Sequence, residues 1–295
     1  MKGNMLVFTA TRLLLCWMLP VGSMKISFKV HRPKDEAVQL NMAEGAVDDM
    51  YFGCNEPMTK RIKDKYFEEE KTKTFSNVCR NAQKCVKRGL NNIDKGDEAL
   101  TKDHMQAICV YTSGYGGFYK TFNEKVLTGR CNYTLFPYHS LHFWLTSAVQ
   151  ILRKGQPDCH ISYRRSNTKF IGKVNQIMRF GAFTSSSMIT TLTHFGNKAC
   201  FKIRTCSGAK LKKYPELKDR EQEVLIPPYE TFNITEVTNK QKVTGLEDCK
   251  VVYVLESAGI HSNLNCKAAY KNPVQLGGAK GKCFDRVKQT AFDAS

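Results

Sequence analysis

After residue 23 the sequence has no stretch of about 18 apolar residues, so no transmembrane helix is expected. Its last segment, "GGAKGKCFDRVKQTAFDAS", lacks the hydrophobic tail that a lipid-anchor signal requires. There is no C-x-x-C, and the cysteines do not cluster with histidines, so zinc or another bound metal is not expected. "GYGGFY" (Gly114–Tyr119) has closely spaced glycines but no strand-to-helix setting; it reads as a loop and not as a dinucleotide fingerprint. No internal repeat or low-complexity linker occurs, which favours a single domain. Acid is also scarce: 27 Asp and Glu stand against 45 Lys and Arg, a net charge of +18. Basic residues gather in "TKRIKDKYFEEEKTK" and again after Lys267. Such charge suits nucleic acid or an acidic surface. Without an aromatic-interleaved motif, nucleic acid is not the expected partner, and solubility with attraction to acidic cell surfaces is the plainer reading.

The 295 residues are 42% hydrophobic and 24% charged, a globular composition able to bury a substantial core. Residues 1–23 read as a secretory signal. Lys2 supplies charge, Leu13 to Leu19 an apolar run, and Val21-Gly22-Ser23 a small-residue cleavage site. The apolar run is short for a bilayer span, so a signal-anchor is the weaker reading. Twelve cysteines, one of them (Cys16) in the signal, leave 12 − 1 = 11, an odd number. In an oxidising compartment most should pair and at least one should remain over; Cys79 and Cys85 are close enough in sequence to be one pair. Sequons at Asn132 and Asn233 fit a secreted, extracellular glycoprotein. The expected organisation is a signal (1–23), a polar N-terminal arm (24–45), a folded domain (46–268) and a basic polar tail (269–295).

Helical spacing dominates the first half. "DEALTKDHMQAICVYT" places Ala99, Leu100, Ala107, Ile108 and Val110 near helical period, with Asp97 as the expected cap. "SLHFWLTSAVQILRKG" is stronger: Leu141, Trp144, Leu145, Ala148 and Leu152 recur at helical intervals, Ser140 suits the cap and Gly155 the stop. After Gly155, short strand-like runs take over at His160–Tyr163, Phe201–Arg204, Val224–Ile226, Thr231–Val237 and Val251–Leu255. Helices first and strands afterwards predict an α+β domain.

Three features of this second half can carry chemistry. Glu221 and Glu223 flank the start of an apolar run that Pro227 and Pro228 end, so both are expected at the mouth of one strand, facing the same side. Paired carboxylates suit a reaction in which positive charge develops on a sugar. Arg164, expected to end a strand, has the planar donors that grip a diphosphate. Thr184, Ser185, Ser186 and Ser187 offer alternating hydroxyls, or a plain surface turn.

Taken in order, Arg164, Ser185-x-Ser187 and Glu221-x-Glu223 resemble the R-S-ExE set of the vertebrate extracellular, arginine-specific mono-ADP-ribosyltransferases. The segments "NMAEGAVDDMYFGC", "LFPYHSLHFWLTSAVQILR", "FGAFTSSSM", "FKIRTCSGA", "EQEVLIPPYETF" and "ESAGIHSNLNC" resemble that family's blocks in order, from about Asn41 to Lys267. The resemblance implies an ADP-ribosyltransferase-like fold, with two small β-sheets meeting at an NAD crevice behind a mostly helical N-terminal part. It implies NAD as co-substrate and arginine-bearing extracellular or cell-surface proteins as acceptors. Glu223 would stabilise the ribose cation, Glu221 would orient and deprotonate the acceptor, and Arg164 and Ser185 would hold NAD, with Ser187 and Tyr111 beside it. Tyr214, in the loop just before, is placed to contact the acceptor or is an ordinary loop aromatic. Disulfides Cys54–Cys266 and Cys159–Cys206 are implied as well. The sequence departs from the family at Arg165, where glycine is usual, and at Ala182, where relatives often carry a polar residue. An NAD glycohydrolase, using water in place of arginine, and a binding module blocked by Arg165 are the alternatives.

Overall fold

The computed structural model describes residues 37–239 and 243–270, all within one compact unit, Asp35–Ser295. The expected signal, the arm up to residue 36 and the tail beyond residue 270 lie outside the described residues. From Val38 onward the expected arm is built into the fold: β1 (Val38–Gln39) pairs in parallel with β3 (Phe170–Ile171), and Val38 and Leu40 are buried.

The helices come first, apart from β1. They are α1 (Asn55–Arg61), which continues through a π-helical turn at Ile62–Tyr66 into α2 (Phe67–Glu69), then α3 (Lys73–Asn81), α4 (Gln83–Leu90), α5 (Lys102–Thr112), α6 (Phe118–Thr128) and α7 (His139–Lys154). In α7 the helical stripe is buried as its spacing predicts, through Leu141, Leu145, Ala148 and Leu152. Its start differs from expectation. The helix begins at His139, and the orphan N–H of Ser140 is taken by both carboxyl oxygens of Glu70, at 2.9 and 3.1 Å. Gly155 stops it as expected. α5 is capped by Thr101 in a box with His104, not by Asp97. Asp97 is instead buried and spent on a distant loop, accepting from Tyr214 Oη at 2.7 Å and Lys212 Nζ at 2.7 Å.

The remaining strands are β2 (His160–Ser166), β4 (Ile177–Met178), β5 (Thr184–Ser187), β6 (Ala199–Thr205), β7 (Ala209–Lys210), β8 (Glu223–Ile226), β9 (Glu230–Thr238) and β10 (Val252–Ile260). They form an eight-stranded sheet in the order β4-β9-β10-β6-β2-β5-β8-β7, antiparallel except for β10 beside β6. The five strand-like runs read from the sequence fall on β2, β6, β8, β9 and β10, with Val251 alone just outside its strand. All four residues of β8 are buried because each face meets a core. Leu225 packs into the helical core and Ile226 into the core between the sheet and β1.

One junction in this sheet is thin. β2 pairs with β6 along seven residues, but with β5 only at Tyr163↔Ser187. The sheet is thus nearly divided into β4-β9-β10-β6-β2 and β5-β8-β7, two small sheets with a crevice where they part.

Cys54–Cys266 and Cys159–Cys206 are joined as the resemblance implied. A Cys79–Cys85 pair does not form. Six residues along successive helices carry the two side chains to different sides, and Cys85 faces α5 and bonds to Cys109. Cys79 is a free thiol. Cys200–Cys249 is a further bridge, and Cys131 is also disulfide-bonded.

Candidate active site

Where β2 and β5 part lies an open cleft, with about 460 Å³ of space that includes open solvent at its mouth. Tyr163, Arg164 and Arg165 line it from β2, Ser185 to Ser187 from β5, and Glu221 and Glu223 from the far side. Ile189, Thr190, Leu192 and Phe195 complete one wall, and nothing in their spacing marked them beforehand.

The floor is set by ladder pairing. Ser185 sits opposite Leu225 and Ser187 opposite Glu223. This register lets Ser185 Oγ donate to Glu223 Oε1 at 2.6 Å. Arg164 lies inside β2 and not at its end, and its Nη1 donates to the Ser185 carbonyl at 2.7 Å. Burial pushes the Glu223 carboxyl up to about 7. Ser185's hydrogen bond pulls it down, and nearby Glu221 adds to the rise. Burial also lowers the pKa of Arg164. Ser187 has a different task from Ser185: its hydroxyl donates to the Glu221 carbonyl at 2.6 Å and accepts the Ile189 N–H at 3.0 Å. Ser186 points the other way, to Ser162 and the Val224 carbonyl. The serine run is therefore a strand and not a surface turn.

Tyr111 is not in the cleft lining. It is buried beneath it, its hydroxyl donating to the Phe183 carbonyl at 2.7 Å and accepting from Asn123 Nδ2 at 3.2 Å. Burial pushes its phenol up to about 12, with Glu223 and Arg164 both close enough to perturb it. It reaches the site through the Phe183 carbonyl and through a side-chain hydrogen bond with Ser185.

Glu221 and Glu223 do not share a strand. Glu223 opens β8, whereas Glu221 lies before it in a turn closed by Gln222 N–H to the Asp219 carbonyl at 3.2 Å. Gln222 has φ +43°, left-handed, which breaks the alternation a strand would need. Both carboxylates still reach the cleft. Glu221 belongs to a loop, 211–222, whose first half is clamped to the helices. Arg88 Nη2 of α4 donates to the Pro215 carbonyl at 2.5 Å and the Glu216 carbonyl at 3.3 Å. Thr112 of α5 accepts the Glu216 N–H at 3.1 Å. Lys213 pairs with Asp94 at 2.5 Å. Tyr214 is the plug of this clamp. It is fully buried, donates to Asp97 and accepts the Asp94 N–H at 2.9 Å, so it does not face an acceptor as expected.

Arg165 was the residue expected to block the crevice on the binding-module reading. Its guanidinium is already engaged. Nη1 pairs with both Asp248 oxygens at 3.0 and 2.9 Å, Nη2 donates to the Gly245 carbonyl at 3.0 Å, and Nε to the Thr190 carbonyl at 2.9 Å. It braces the apolar wall against the segment that Cys200–Cys249 also holds. Ala182 is buried in the helical core and absent from the lining.

These features bring an arginine, a serine and two glutamates around one cleft of an α+β fold. The model of the family described as NAD:arginine ADP-ribosyltransferase matches residues 40–247. The erythroblast NAD(P)(+)--arginine ADP-ribosyltransferase of Gallus gallus is 31% identical over 237 residues, covering 78% of this chain and 76% of that protein. Ecto-ADP-ribosyltransferase 4 of Mus musculus is 30% identical, covering 87% and 83%. The solved eukaryotic mono-ADP-ribosyltransferase ART2.2 superposes with a TM-score of 0.64 at 27% identity, covering 78% of this chain and 98% of that one. Mutants of ART2.2 are solved with NADH and with NAD. The chain belongs to the NAD:arginine ADP-ribosyltransferase family, whose co-substrate is NAD. No described helix is long and apolar enough to cross a membrane, and no described cluster of three or more His, Cys, Asp or Glu is placed to hold a metal.

Proposed function

We infer that this chain moves ADP-ribose from NAD to arginine side chains of extracellular proteins, with Glu223, Glu221, Arg164 and Ser185 as its working groups. The observation that carries the assignment is the 2.6 Å Ser185–Glu223 hydrogen bond at the floor of a cleft whose lip carries Glu221. Arg164 supplies the charge for the NAD phosphates. The bond between nicotinamide nitrogen and ribose C1 breaks, its electron pair leaves with nicotinamide, and positive charge develops on the ribose. The Glu223 carboxylate, held by Ser185, takes the ribose hydroxyl and offsets that charge. A guanidinium is protonated at physiological pH and is a poor nucleophile. Glu221 orients it and accepts the proton released as its nitrogen bonds to C1. Tyr111 and Ser187 are positioning residues: one supports the strand under Ser185, the other fixes the Glu221 backbone.

The domain is taken as 46–268 with β1 as its N-terminal extension, between a secretory signal and a basic tail. Asn132 is exposed and suits glycosylation. Asn233 is half-buried in mid-strand with its Oδ1 enclosed, and suits it less well. The ion pair of Arg165 with Asp248 weighs against the binding-module reading, although Arg165 still lines the cleft.

The test is incubation of the secreted protein with labelled NAD and agmatine, measuring adduct and free ADP-ribose together. The wild type should form adduct, and Glu223→Gln should lose both products. A fully active Glu223→Gln would show the site assignment to be wrong. Free ADP-ribose without adduct would favour the glycohydrolase, with water as acceptor.

A further inference from the structure

The 211–222 loop has two unlike halves. The clamped half uses its cations internally: Lys212 on Asp97 and Lys213 on Asp94. The second half, Leu217 to Arg220, is exposed without a break up to the half-buried Glu221. Within it Asp219 is occupied by Lys210 at 3.4 Å. Lys218 and Arg220 have no carboxylate within ion-pair distance among the described residues.

Chain geometry ties these two cations to the acceptor carboxylate. Arg220 is adjacent to Glu221, and Lys218 is three residues away, so its Cα lies within about 11 Å of that of Glu221. The turn from Asp219 to Gln222 shortens the path further. Lys218 has φ +60°, so the loop is bent at this point. Besides Glu221, Glu216 is the other loop carboxylate without an ion pair among the described residues, and its backbone is held on the helical side by Arg88 and Thr112. The whole chain adds a net charge of +18.

An incoming arginine is itself a cation, and its own charge is answered by Glu221. The residues flanking it meet Lys218 and Arg220 instead. On the reading that Glu221 receives the acceptor, we propose that this enzyme selects arginines embedded in acidic segments, with Lys218 and Arg220 as the specificity-determining residues. Acidic flanks pair with the rim and are drawn in by the field of the chain; basic flanks are repelled by both.

The test uses peptides with one arginine flanked by Asp and Glu, by Lys, or by Gly and Ser, each compared with agmatine on the same enzyme. At low salt the acidic-flanked peptide should show a KM about tenfold below that of the basic-flanked one. The ratio should collapse at about 0.5 M salt, where exposed charges are screened. The double variant Lys218→Glu with Arg220→Glu should invert the order relative to its own agmatine turnover, an effect that general loss of structure would not give. Equal KM values for all peptides, with agmatine modified normally, would overturn the inference and leave the functional reading standing. A preference unchanged in the double variant would overturn the assignment to this rim. No transfer to agmatine would remove the functional reading and this inference with it.

Discussion

The two walls that present the glutamates are built by different means. Glu223 sits on β8, buried on both faces and fixed by ladder pairing with β5, so its place follows from strand register. Glu221 sits two residues earlier on a loop held by remote side chains and by left-handed residues at Lys212, Lys218 and Gln222. On the proposed roles, the step shared by transfer and hydrolysis, cleavage of the sugar bond, belongs to the rigid wall. The step that distinguishes them, reception of arginine, belongs to the loop, whose support comes from distant side chains and is separable.

Ser185→Ala breaks the rigid wall. It removes the hydrogen bond that orients Glu223, and charge-assisted bonds of this kind are worth about 1.5–3 kcal/mol. Turnover should fall roughly 10- to 100-fold in transfer and hydrolysis alike, measured as nicotinamide release with and without agmatine. Tyr214→Phe breaks the other wall. It strips a donor from buried Asp97 and a partner from the Asp94 N–H, at a cost of about 1–3 kcal/mol in stability by thermal unfolding. The KM for agmatine should rise severalfold while the KM for NAD holds; equal loss in both would mean that the clamp only supports the fold.

A smaller effect separates the walls by pH. Glu223 must be ionised to hold the ribose cation, and burial raises its pKa to about 7. Because the raised pKa favours the neutral acid, kcat/KM for NAD hydrolysis should be low in acid and climb through about pH 7. Ser185 favours the charged form and Glu221 opposes it. The midpoint should therefore move up in Ser185→Ala and down in Glu221→Gln, by a fraction of a unit to one unit. An acid limb that ignores both substitutions would mean another group controls it.

The same contrast explains what could be read from sequence. β2, β6 and β8 to β10 were legible because each carries an apolar or alternating run, and Glu223 comes with β8; Ser185 lies on β5, whose serine run read equally as a surface turn. The α7 stripe was legible for the same reason, although its cap was not, since Glu70 lies 70 residues from Ser140. Tyr111 was recognised as a site residue, but its burial beneath the strand was not legible, because nothing local shows whether a tyrosine lines a cleft or supports the strand beneath it. The lip was the least legible. Tyr214 read as a loop aromatic, yet its partners Asp94 and Asp97 lie 120 and 117 residues away. Arg165 read as an obstruction until Asp248, 83 residues on, was seen to hold it. Strands announce themselves in local pattern; loops held by distant side chains do not.

The division of labour between the walls is tested most directly by Glu221→Gln, assayed with labelled NAD and agmatine so that adduct and free ADP-ribose are counted in one reaction. Adduct should fall about 10²-fold or more, as for loss of a general base, while free ADP-ribose continues to form. Loss of both products in equal measure would contradict the account, because Glu221 would then belong to sugar-bond cleavage along with Glu223.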